Sequence, residues 1–160
     1  VPKIKLKLST DSINQALKEV KAYQKKVEKA ADDLVRRLTE QGVSLAQLNA
    51  SYMDIYDTGE LMRGIESQYK GKIGFVVSTA THSIFCEFGT GIVGAQNPHP
   101  EVAIAGWRYD VNEHGQLGWW YIGRDGKSHW TKGMPSRPYM YETAKMLRSM
   151  VVPLAKEVMC

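Results

Sequence analysis

Residues 9–42 read STDSINQALKEVKAYQKKVEKAADDLVRRLTEQG. The opening Ser-Thr-Asp-Ser offers short oxygen-bearing side chains of the kind that cap a helix start. Behind it, Ile13, Leu17, Val20, Val27, Ala31, Leu34 and Leu38 recur at intervals of three, four and seven, the spacing of one helix face. The pattern predicts a helix of about 30 residues, about 45 Å long, with Gly42 as its stop. So long a helix in a small domain either lies across a sheet or projects to a neighbouring chain.

Upstream, KIKLKL alternates Lys3, Lys5 and Lys7 with Ile4, Leu6 and Leu8. Strict alternation predicts a strand with one buried face and a lysine row on an outer face or edge. Downstream, DTGELMRGI predicts a short helical turn capped by Asp57 or Thr58, with Leu61, Met62 and Ile65 as apolar anchors. ESQYKGKIGFVVSTA reads as two strands joined around Gly71. HSIFCEFGTG predicts a short apolar helix closed by a left-handed Gly89. GIVGAQNPHPE, with its glycines and prolines, reads as a loop.

Residues 103–132 read as a three-stranded meander. IAGWRYDV runs up, NEHG turns, QLGWWYIGR returns, and Asp125-Gly126 turns again into KSHWTK. With Asp-Gly at the centre of a two-residue turn, Tyr121 faces Trp130 and Ile122 faces His129. Trp119 and Tyr121 then share a face with Trp130 and Lys132, while Trp120 shares the other with Ile122, His129 and Thr131. At the C-terminus Ser136 is a cap candidate and Pro138 suits a first helical turn. Met140, Ala144, Leu147, Val151, Leu154 and Val158 continue a helical stripe, in which Pro153 predicts a kink or an early end. The elements together predict an α+β chain: a long N-terminal helix and a C-terminal helix packed on an antiparallel sheet, with an aromatic β-hairpin insertion.

The chain has 160 residues, 43% hydrophobic and 24% charged, which suits a single domain over 1–160 with one core. The net charge of +4 is spread among acids in the first helix, as on a solvated face, and falls short of a dedicated nucleic-acid surface. No apolar run approaches the length of a bilayer span. VPKIKLKLST lacks the apolar core of a secretory signal, so synthesis in the cytoplasm is expected. Cys86 and Cys160 form no disulfide framework and read as free thiols.

The chemistry-bearing residues form no catalytic or cofactor-binding pattern. His82, His99, His114 and His129 are scattered; only His82 and Cys86 stand at helical spacing, and zinc takes three or four ligands. Glu87, inside the apolar segment IFCEFGTG, reads as a structural hydrogen-bonding group or a polar contact at a subunit boundary. GTGIVGAQ lacks the Lys-Ser/Thr and the helix of a phosphate-cradling loop. GWWYIGRDGKSHWTKG, residues 118–133, admits three readings. Wall-binding modules stack several aromatic repeats of this kind, and this chain holds one. A base-stacking platform interleaves aromatics with a basic groove, and Arg124, Lys127 and Lys132 make only a thin one. A structural hairpin is the simplest reading, with Trp119, Trp120, Tyr121 and Trp130 as contact residues.

The order of DTGELMRGI, GKIGFVVSTATHSIFCEFGTG and GMPSRPYMYETA resembles the tailed-bacteriophage head–tail joining family, the gene-product-ten-like neck or tail-completion proteins. The resemblance covers roughly residues 10–155. Its motifs fall on Thr58, Gly59 and Leu61; on Phe85, Glu87, Phe88, Gly89 and Thr90; and on Pro138, Tyr139 and Met140. The departure is a long aromatic insertion, about 92–133, similar to versions from prophages of Gram-positive hosts. The resemblance implies an α+β virion protein without enzymatic activity. It implies a homo-oligomeric ring, typically of six subunits, at the head-proximal tail end or in the neck, built in the host bacterial cytoplasm. Partners implied are tail-tube and/or head-closure proteins, with DNA passing through the channel without sequence readout, and no membrane. The motif residues are then candidate subunit contacts.

Overall fold

The computed structural model describes residues 9–55, 59–109 and 117–159. Helix α1 (Thr10–Tyr52) starts at Ser9, whose Oγ accepts the Ser12 amide at 3.3 Å. It is 43 residues long, about 65 Å, so Gly42 does not stop it. Gly42 is buried inside the helix, where an added Cβ would lie 2.6 Å from Val76 Cγ2 and 2.9 Å from Leu147 Cδ1. The glycine lets three elements approach, and tertiary packing overrides its weak helix propensity. The helix ends at Met53, followed by Asp54 in a left-handed conformation at φ 57°.

Helix α6 (Tyr139–Met159) packs antiparallel on the second half of α1. Asn49 Nδ2 donates to Thr143 Oγ1 at 2.9 Å near one end, and Arg37 meets Glu157 at 3.7 Å near the other. Pro153 lies inside α6 and does not end it. Strands β1 (Ile65–Lys70) and β2 (Ile73–Ser78) form an antiparallel hairpin against α1, paired from Ile65↔Ser78 to Lys70↔Ile73 across Gly71. The core gathers Ala46 and Ala50 of α1 with Ile55, Leu61, Ile65, Ala80, Cys86 and Tyr139. Leu61 comes from α2 (Glu60–Arg63) and Cys86 from α3 (Ser83–Phe88). The α+β class with long terminal helices is therefore as expected, but the β structure is two separate two-stranded sheets.

The region after Gly89 departs most from expectation. GIVGAQ is not loop but helix α4 (Gly91–Gln96), and the expected first meander strand starts instead inside helix α5 (Val102–Ala105), which takes in Ile104 and Ala105. Gly94 serves close packing rather than a turn, since a Cβ there would lie 2.8 Å from the Tyr109 ring and 2.9 Å from the Gly89 carbonyl carbon. The second sheet pairs only β3 (Trp119–Ile122) with β4 (Ser128–Thr131). Short strand β5 (Gly133–Met134) bridges back to Thr90 and Gly91. The KIKLKL strand, the Asp57 and Thr58 caps and the NEHG turn lie outside the described residues.

The β3–β4 register also differs, with Trp120↔Trp130 and Tyr121↔His129. The loop is one residue longer than a two-residue turn. Gly123 accepts the Gly126 amide at 3.0 Å and donates to Lys127 O at 2.8 Å, with Gly126 at φ 72°. This is a type I turn through Arg124 and Asp125 closed by a glycine bulge. One extra residue swaps faces: Trp130 joins Trp120, and His129 joins Tyr121. Asp125 Oδ1 accepts the Lys127 amide at 3.0 Å and meets His129 Nε2 at 3.0 Å.

Gly42→Ala is expected to cost about 1–2 kcal/mol, because overpacking against Val76 and Leu147 outweighs the helix-propensity gain. Chemical denaturation measures it. A stabilised variant would mean that the three elements do not meet as closely as described.

Candidate functional site

Two of the segments singled out in the sequence, CEFGTG and RPYMY, meet at one carboxylate. Glu87 lies in the last turn of α3 and is buried. Its Oε2 accepts the Met140 amide and its Oε1 the Tyr141 amide, both at 2.9 Å. These are first-turn donors of α6, which have no partner within the helix. A negative charge at that end is also favoured by the helix dipole. Glu87 thus supplies the cap expected from Ser136. Ser136 Oγ instead donates to the Glu87 carbonyl at 2.7 Å, and the Arg137 amide donates to the Cys86 carbonyl at 2.9 Å. Pro138 sits at the turn into α6, its carbonyl accepting the Glu142 amide at 3.0 Å.

His99 completes the clasp. It is 4% exposed, and its Nδ1 accepts the Glu101 amide at 3.0 Å. That bond places the ring proton on Nε2, which donates to Glu87 Oε1 at 3.1 Å. The Phe88 ring lies against His99 with centroids 4.4 Å apart, and stacks on Trp107 at 5.3 Å. Phe85 meets Trp107 edge-on at 5.9 Å. Trp107 Nε1 donates to the Gly89 carbonyl at 3.0 Å, and Tyr109 Oη accepts the His99 amide at 3.2 Å.

Gly89 closes α3 at φ 76° as expected, but with ψ 171° rather than a left-handed helical value. That region is essentially restricted to glycine. Thr90 Oγ1 accepts the Met134 amide at 3.2 Å. Tyr139 is 1% exposed, and burial, aided by the nearby Glu87 charge, pushes its phenol above the usual range. Leu61 packs in the same core as Tyr139, and Gly59 precedes α2 in a left-handed conformation. Met140 flanks that core. Thr58 lies outside the described residues.

Chemically, the clasp is saturated: both Glu87 oxygens and both His99 ring nitrogens are engaged within the chain. The neighbouring Cys86 thiol is buried, and burial raises its pKa, which keeps it a poor nucleophile. His82 stands 3.9 Å from a Glu60 oxygen. Among the described residues no three His, Cys, Asp or Glu side chains gather as metal ligands, and no helix is long and apolar enough to cross a membrane.

No protein-family model, curated protein or solved structure matches this chain.

A second candidate surface lies on the hairpin. Trp119 is half-buried over Gly91, but Trp120 is 65%, Trp130 47% and Ile122 69% exposed on the opposite face. The Trp120 and Trp130 rings meet edge-to-face, with centroids 5.4 Å apart and planes at 64°. Sequence reading found Glu87, Gly89 and the Pro138–Met140 segment, and missed His99, Trp107 and Tyr109. The signal for His99 was its place between Pro98 and Pro100, which restrict the backbone on both sides.

Proposed function

We propose that this chain is a structural virion subunit of a tailed bacteriophage, assembling as a ring in the neck or at the head-proximal end of the tail. The observation that carries the reading is the Glu87 clasp. It ties the Glu-Phe-Gly-Thr segment to the Pro-Tyr-Met segment by two hydrogen bonds to the α6 N-terminus. Leu61, from the third segment, packs in the same core as Tyr139. Short motifs dispersed along the sequence thus act as one structural unit, a reason for a family to carry them together. The saturated polar groups suit a scaffold better than a reaction site. In this reading the ring is homo-oligomeric, meets tail-tube and/or head-closure proteins, and lets DNA through its channel.

Disruption of the encoding gene in an inducible prophage tests the proposal. Filled heads and separate tails should accumulate unjoined, and the intact gene supplied in trans should restore joined particles. Normal infectious particles without the chain would overturn it.

The exposed Trp120 and Trp130 favour one alternative, a single binding module for wall glycan or nucleic acid. Their edge-to-face angle makes a poor flat platform for sugars or bases. Tryptophan emission is expected to stay unchanged on titration with wall fragments or single-stranded DNA. A saturable change with glycan at physiological salt would favour the module. A change with DNA that vanishes as salt rises would reflect phosphate attraction alone.

A further inference from the structure

The first half of α1 makes a surface that no other described element of the chain covers. None of residues 10–29 is buried, because α6, running antiparallel, reaches only the second half of α1. The unburied part is about 30 Å long. A lone helix of that length is marginal in water, yet this one carries exposed Ile13, Leu17, Val20, Tyr23 and Val27.

The spacing of the stripe identifies its occupant. Positions 13, 17, 20, 24, 27, 31, 34 and 38 alternate steps of four and three without a break, the seam of a two-stranded coiled coil. Gln24 is its one polar member. Lys21 and Glu28 occupy equivalent flanking positions, each one residue after a seam residue. Between two parallel copies Lys21 would face Ala16 and Glu28 would face Tyr23. Between two antiparallel copies the flanking positions face their own kind. Setting Gln24 beside Val27 of the second copy then places Lys21 against Glu28 twice, across the two-fold axis. Sliding by one heptad in either direction puts Lys21 against Lys21 or Glu28 against Glu28, so charge selects a single register. In that register Ile13 of the second copy reaches Leu38. There the stripe runs into an apolar groove of about 330 Å³ between α1, β2 and α6, lined by Leu38, Val76, Leu147 and Val151.

The geometry points to a second copy of this chain as the partner: two protomers pair through antiparallel α1 helices over residues 13–38, with reciprocal Lys21–Glu28 contacts. This contact is isologous and closes on two copies, unlike the heterologous contacts of a ring. It therefore belongs to the free chain rather than to a polar ring, goes beyond the virion reading and stands or falls without it.

The test is the sedimentation-equilibrium or light-scattering mass of the full chain at micromolar concentration, with variants in the projecting half of α1, which carries none of the core. Wild type is expected at twice the chain mass. Lys21→Glu alone and Glu28→Lys alone should each weaken the pair by about tenfold or more, and the double variant should restore it. Leu17→Glu should abolish it, while near-ultraviolet circular dichroism reports an intact body. A monomeric wild type would overturn the inference. So would single charge reversals without effect, or a double variant no tighter than the singles, because both point away from the antiparallel register.

Discussion

Glu87→Ala is expected to destabilise the fold by about 3–5 kcal/mol, because three buried donors lose their acceptor at about 1–3 kcal/mol each, partly relieved by relaxation. The variant strands the Met140 and Tyr141 amides at the start of α6 and leaves the His99 Nε2 proton facing a cavity. Most of the cost is the penalty for those unpaired donors rather than the loss of an attraction. Glu87→Gln keeps the volume and one acceptor oxygen, so its loss should be smaller. Denaturant unfolding of the three proteins gives the order wild type, Gln, Ala. A loss below about 1 kcal/mol for Ala, the worth of one ordinary hydrogen bond, would mean that the clasp does not hold α3 to α6.

Gly89→Ala is expected to cost about 3 kcal/mol or more, from backbone strain plus a clash. A Cβ would sit 2.6 Å from the Ser136 nitrogen, 2.8 Å from the Met134 oxygen and 2.9 Å from the Pro135 carbonyl carbon. All three are backbone atoms and cannot rotate away. Gly71 is the internal control. It too has a positive φ, 60°, but nothing lies within 4 Å of its Cβ position. Gly71→Ala should therefore cost only about 1–2 kcal/mol of conformational strain. Equal losses at the two sites would show that packing around Gly89 is looser than described.

Periodic and local signals in the sequence carried much of the fold. The α1 and α6 stripes, the β1–β2 hairpin about Gly71 and the short α3 helix are set by neighbours in the chain, which a window of sequence contains. Errors arose where a distant contact decides. Gly42 has the residue type of a helix stop, but Val76 and Leu147 press on it from other elements. The glycines of GIVGAQ look like loop residues, yet Gly94 is small because Tyr109 and Gly89 lie against it. Asp125-Gly126 signalled a turn correctly but not its length, and the one-residue difference exchanged the faces of Trp130 and His129. In the clasp, Glu87 stood out as a lone carboxylate among apolar residues. Its partners are 12, 53 and 54 residues away, at separations no local pattern registers.

The virion assignment is tested most directly by electron microscopy of purified tailed particles carrying an epitope-tagged chain, with averaging about the tail axis. Label is expected only at the junction of head and tail, with a closed ring of copies touching one another around the DNA channel. Particles with joined heads and tails that lack the chain, or copies that make no contact with each other, would contradict it.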